Sequence, residues 1–155
     1  MSDSTYSPTG PLMPALFVGH GSPMNAIEAN EFSKNWSELA RSIPTPSAIL
    51  CVSAHWVTSG TEVTASPSPE TIHDFYGFPP ALYGLSYPAP GSPSIAERVK
   101  EIVTSKQVQL HNTRGLDHGT WVVLRRMYPD ANIPTLQLSL ANDITPREHY
   151  ELAKE

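Results

Sequence analysis

The 155-residue chain is 39% hydrophobic and 16% charged, with 16 Pro, 9 Gly and a single Cys, which is enough to enclose one core and too apolar to remain disordered. Its net charge of -5 comes without a basic stripe, so nucleic acid would find no source for the counterion release that drives its binding. Apolar runs of a few residues are too short for a membrane-spanning helix, and a membrane partner is excluded with them.

Residues 1–11 are polar, include Asp3 and hold no apolar block of the secretory type, so they read as a flexible tail on a cytosolic protein. Ala15 to Val18 form an apolar run that stops at Gly19-His20-Gly21-Ser22-Pro23, which predicts a buried strand feeding a tight loop. From Glu31 to Arg41, Phe32, Trp36, Leu39 and Ala40 recur at helical spacing until Pro44 and Pro46 forbid extension. Ala48 to Val52, running on to His55-Trp56, predicts a central strand, and strand, helix, strand implies a right-handed crossover. The lone Cys51 sits in that run and reads as a buried, inert thiol.

Glu62 to Ala65 predict a short third strand, and Ser66 to Glu70 a connector. Thr71 to Gly91 mixes His73, Asp74, Phe75, Tyr76, Phe78, Tyr83 and Tyr87 with prolines and glycines, so it should be irregular, and long irregular loops usually carry function. Ser92 caps a helix with Pro93 first and Ile95, Val99, Ile102 and Val103 as its stripe. Val108 and Leu110 predict a fourth strand, Thr120 to Tyr128 a helix closed by Pro129, and Ile133 to Leu140 a strand with Leu136, Leu138 and Leu140 on one face. Thr145-Pro146 opens a last helix that reaches Glu155 without a stop signal. The expectation is a single α/β domain with a mostly parallel central sheet flanked by helices, residues 12–155 forming its N-terminal portion and the C-terminal part truncated. Binding sites in such sheets collect beyond the carboxyl ends of the strands.

His20 and His55 each follow an apolar strand run. Neighbouring strands lie about 4.8 Å apart, so two imidazoles leaving one sheet edge can share an ion at bond lengths of about 2.0 to 2.1 Å. Two readings are open: a shared metal, or two hydrogen-bonded loop histidines. No His-x-x-x-His spacing supplies a third ligand. His118, in Gly115-Leu116-Asp117-His118-Gly119-Thr120, precedes a helix whose amides favour an anion; it reads as a polar contact or proton-transfer residue, or as a side chain packed beside an Asp117 or Thr120 cap. His73 beside Asp74 suits a structural loop role, and His111 and His149 are expected at the surface. Gly-His-Gly-Ser-Pro-Met lacks the second glycine of a nucleophile elbow, and neither a phosphate loop nor a dinucleotide fingerprint occurs.

Five motifs in order resemble the class III extradiol ring-cleaving dioxygenases, in the group similar to DOPA 4,5-dioxygenase. They are Pro14-Ala15-Leu16-Phe17-Val18-Gly19-His20-Gly21-Ser22-Pro23-Met24, Ser53-Ala54-His55-Trp56, Thr71-Ile72-His73-Asp74-Phe75-Tyr76-Gly77-Phe78-Pro79, Tyr87-Pro88-Ala89-Pro90-Gly91 and Leu116-Asp117-His118-Gly119. The resemblance implies one divalent metal, Fe(II) in the active form with Zn(II) a possible occupant, and His20 and His55 match the first two ligands. It implies a small aromatic diol such as DOPA and O2 as partners, with both oxygen atoms incorporated on ring opening. His118 matches a catalytic pocket histidine, and Asp74 and Tyr76 fall where substrate is expected. The family is about a hundred residues longer, so a further ligand and the usual acid-base histidine are expected beyond this stretch. A non-catalytic domain completed by a partner, such as a second copy in a homo-oligomer, and a zinc hydrolase remain as alternatives.

Overall fold

The computed structural model describes residues 12–155, so the expected flexible tail, residues 1–11, lies outside the described residues. Four strands form one sheet in the order β1-β4-β2-β3, with β1 at Ile49–Thr58, β2 at Thr61–Thr64, β3 at Val108–His111 and β4 at Thr135–Ala141. β1 runs parallel to β4 and β2 parallel to β3, and one antiparallel pair, Val63 with Leu138, joins the halves. The sheet is therefore mostly parallel, as the alternation of strands and helices predicts.

The helices are α1 (Glu31–Ser42), α2 (Pro80–Tyr83), α3 (Pro93–Ile102), α4 (His118–Met127) and α5 (Pro146–Leu152). Their starts are written in the sequence: Asn30, Ser92, Asp117 and Thr145 each accept a hydrogen bond from a backbone N–H of the first turn, satisfying donors that the helix itself leaves open. α4 begins two residues before the expected Thr120, because Asp117 is the cap.

β4 is buried on both faces, as befits a central strand. Leu136 and Leu138 pack with Val63, Ala96, Val99, Val108 and Leu152 beneath α3 and α5. Thr135, Gln137 and Ser139 are equally buried on the other face. There α4 supplies Trp121, Val122 and Leu124 to a second cluster with Trp36 of α1 and with Phe75, Leu82 and Tyr87 of the aromatic loop. That loop is irregular apart from α2.

Two expectations are corrected. Ala15 to Val18 form no strand: Ala15, Leu16 and Phe17 are exposed, Phe17 completely, and the segment pairs with nothing among the described residues. A short apolar run becomes a strand only where an edge accepts its N–H and C=O groups, and without that pairing the predicted strand-helix-strand crossover does not form. His20 accordingly leaves a loop that leads into a 3-10 turn at Pro23–Ala26, not a strand end. His111 and His149 are half-buried, not free at the surface: His111 Nδ1 accepts from the Arg114 N–H, and His149 Nε2 from the Ala141 N–H.

Candidate metal centre

Each of three histidines reaches one point by a different device. His20 sits in the Gly19-to-Asn25 loop, where the buried Asn25 amide donates to the His20 carbonyl at 3.0 Å while its own oxygen accepts from Asn30. Gly21 holds φ +59° there, a conformation glycine adopts without steric cost.

His55 lies inside β1 rather than after it. The β1–β4 register advances five residues on β1, Val52 to Val57, against two on β4, Leu138 to Leu140. Ser53-Ala54-His55-Trp56 stand against the single Ser139 of β4, and such a bulge re-aims side chains out of the pleat. His118 is the first residue of α4, and Gly119 lets the helix come close: a Cβ there would stand 2.9 Å from the His55 Cδ2 and 2.8 Å from the Ser53 Oγ.

The His20 and His55 Nε2 atoms are 2.8 Å apart. The His118 ring centroid lies 4.1 Å from that of His55 and 5.0 Å from that of His20. One ring nitrogen from each of the three falls within 4.8 Å of the others. An ion at about 2.0 to 2.1 Å can bridge nitrogens up to about 4.2 Å apart, so the His20–His55 pair lies within reach of one ion. Nδ1 of His20 is buried without a hydrogen-bond partner. Burial, and then the charges that His118 and His55 would carry, lower the His20 pKa, which favours the neutral imidazole that metals bind.

Asp74 orients the third ring. Its Oδ1 accepts from His118 Nδ1 at 2.9 Å and from the His118 backbone N–H at 3.0 Å. Burial alone would raise the Asp74 pKa, but these bonds outweigh it and hold the carboxyl down at about 2. With Nδ1 so engaged, Nε2 is the free nitrogen of His118. The Phe75 ring meets His118 edge to face at 5.7 Å.

Of the residues singled out from sequence, His20, His55, His118 and Asp74 come together, although Asp74 turns its carboxylate to His118. Tyr76 does not join them: its side chain is 92% exposed. His73 has the structural part expected, its Nε2 bonded to the Leu85 carbonyl. Sequence reasoning missed Asn25, Gly119 and the buried Gln137 behind the histidines, and read Asp117 only as a possible helix cap. Only the run Asp117-His118-Gly119, a cap followed by a residue without a side chain, hinted at close packing there.

Residues 10–154 match the family model described as the catalytic LigB subunit of aromatic ring-opening dioxygenase. The chain belongs to this family. Among LigB relatives, a 4,5-DOPA dioxygenase extradiol of Escherichia coli (strain K12) is 51% identical over 144 residues, which is 92% of this chain and 53% of that protein. One of the same name from Beta vulgaris is 42% identical over 146 residues, 90% of this chain and 54% of the relative. A crystal structure of the uncharacterized protein JW3007 from Escherichia coli K12 superposes with a TM-score of 0.68 at 42% identity, covering 84% of this chain and 48% of that one. The chain thus spans about half the length of the curated LigB relatives it matches.

Proposed function

We propose that this chain carries the metal-holding part of a non-haem extradiol dioxygenase that opens the ring of a catechol such as DOPA, both atoms of O2 entering the product. The observation that carries this reading is the convergence of His20, His55 and His118 on one point in a chain of the LigB family. His20 and His55 are assigned as the metal ligands. His118, whose ring lies beside both, is assigned to proton transfer at the substrate.

When bound, Fe(II) supplies the electron exchange between catechol and O2, whereas Zn(II), which has no redox chemistry, would fill the site without turnover. Asp74 keeps the His118 proton on Nδ1, so Nε2 is the atom that takes a proton from a substrate hydroxyl and returns it. Phe75 packs edge to face on the His118 ring.

The test loads the chain, extended to the length of its LigB relatives, with Fe(II) under anaerobic conditions and then admits O2 and DOPA. Oxygen uptake that depends on DOPA, with a yellow ring-opened product, is expected from Fe(II) and not from Zn(II). Metal uptake without any oxygen consumption would refute the dioxygenase reading while leaving the metal site standing. Equal turnover of a substrate by the Zn(II) form without O2 would favour a hydrolase instead.

A further inference from the structure

Behind the histidines lies a buried carboxylate that the proposed chemistry does not use. Asp117 is completely buried. Its Oδ1 accepts from the Ser53 hydroxyl at 2.7 Å and from the Thr120 backbone N–H at 3.3 Å. Its Oδ2 accepts from the Gln137 amide at 2.7 Å and from Arg114 at 3.5 Å, and its own N–H donates to Gln137 Oε1 at 2.7 Å. Gln137 is fixed in turn, because its N–H donates to the Thr64 hydroxyl.

Capping α4 needs one oxygen, and a serine or asparagine would serve as well. Sinking a full negative charge into the core is costly unless something answers it. The four donors answer it in part, and Arg114, the one cation among them, stands at the longest distance and also stacks 5.2 Å above Trp56. The connections of this carboxylate lead to two of the histidines. Ser53 Oγ, which donates to Asp117, accepts the His55 backbone N–H at 3.2 Å, and His118 is the next residue in the chain.

Resting on the metal-site reading above, we propose that Asp117 is a positioning residue and buried counter-charge for the cation. Through Ser53 it fixes the β1 bulge that carries His55, and through the chain it fixes the start of α4 that carries His118. It thereby sets the gap between the two rings and places a negative charge just behind them.

The test uses Co(II) as the probe metal on the 155-residue chain and on the variants Asp117→Asn and Ser53→Ala. Binding is followed by the visible absorption of Co(II) and by the metal-induced rise in Tm. Asparagine caps a helix as well as aspartate does, so a capping role alone predicts wild-type Co(II) affinity and spectrum for Asp117→Asn. A positioning role predicts Co(II) binding weaker by about 10- to 100-fold, an altered absorption band and a smaller rise in Tm in a chain with unchanged circular dichroism. Ser53→Ala should weaken binding in the same direction by about tenfold, and it decides the matter if Asp117→Asn does not fold. Wild-type affinity and spectrum in the folded variants would overturn the proposal alone. Failure of the unsubstituted chain to bind Co(II) would overturn the metal-site reading and this proposal together.

Discussion

His118 shows how one residue acquires a role from its neighbours. Asp74 takes the proton side of its ring, Phe75 packs on it edge to face, and Gly119 leaves room for the His55 ring beside it. Three predictions belong at this scale. Replacing His20 or His55 by Ala should abolish metal uptake in a chelator-competition titration. His118→Ala should retain weaker uptake but lose DOPA-dependent oxygen consumption, and undiminished turnover would remove it from proton transfer. Gly119→Ala sets two effects against each other. Helix propensity favours Ala by about 1 kcal/mol, but the new Cβ would lie 2.8 Å from Ser53 Oγ and 2.9 Å from His55 Cδ2, closer than unstrained packing allows. The contact should win locally, so metal affinity should fall while the urea midpoint fails to rise. A more stable variant with intact affinity would contradict the close approach.

At the scale of elements, α4 is the hub: it packs on α1 and β1, and the wholly buried Trp121 donates from Nε1 to the Ile72 carbonyl at 2.8 Å. That bond ties the aromatic loop to the helix that starts with His118. Trp121→Phe should cost about 1 to 3 kcal/mol, since it leaves a carbonyl without its partner, and urea unfolding with an unchanged slope would read it. The starts of α3 and α5 were legible because caps are local, Ser92 and Thr145 acting within one turn of themselves, whereas α4 begins two residues before the expected Thr120. Strand content was less legible. Ala15 to Val18 has the apolar pattern of a strand, yet pairing depends on what lies alongside, which four residues do not encode. His55 was expected at a strand end and lies in a bulge, because two residues of β4 must match five of β1, a mismatch visible only once the partner strand is known. The nearness of His20 and His55 was foreseen from a crossover that does not form; the bulge and the Asn25-anchored loop achieve it instead.

Over the whole molecule, the sheet is covered unevenly. Leu50 and Val52 of β1 pair in register with Leu136 and Leu138 of β4, so they face the same side. There α3 and α5 cover β4, while Leu50, Val52 and, further along β1, Val57 stay about half exposed. A long apolar edge strand invites association, so light scattering should show mass rising with concentration, and Val52→Lys should suppress it with little change in stability. No helix among the described residues is long and apolar enough to cross a membrane. Stability should also fall in alkali. Burial, then the neighbouring Tyr128, push the Tyr87 phenol up to about 12, against about 10 in an unfolded chain. The folded state holds this proton more tightly, so the contribution is intact below about pH 10 and is lost as pH rises toward about 12. Thermal melts of Tyr87→Phe should lack that component of the loss, and curves parallel to wild type would contradict it. The central claim, that imidazoles from the Asn25-anchored loop and the β1 bulge grip one cation, is tested most directly by X-ray absorption at the zinc edge of the Zn(II)-loaded chain. The account predicts at least two histidine nitrogens at about 2.0 to 2.1 Å, lost in His55→Ala. A shell of oxygen alone, or one unchanged by that substitution, would contradict it.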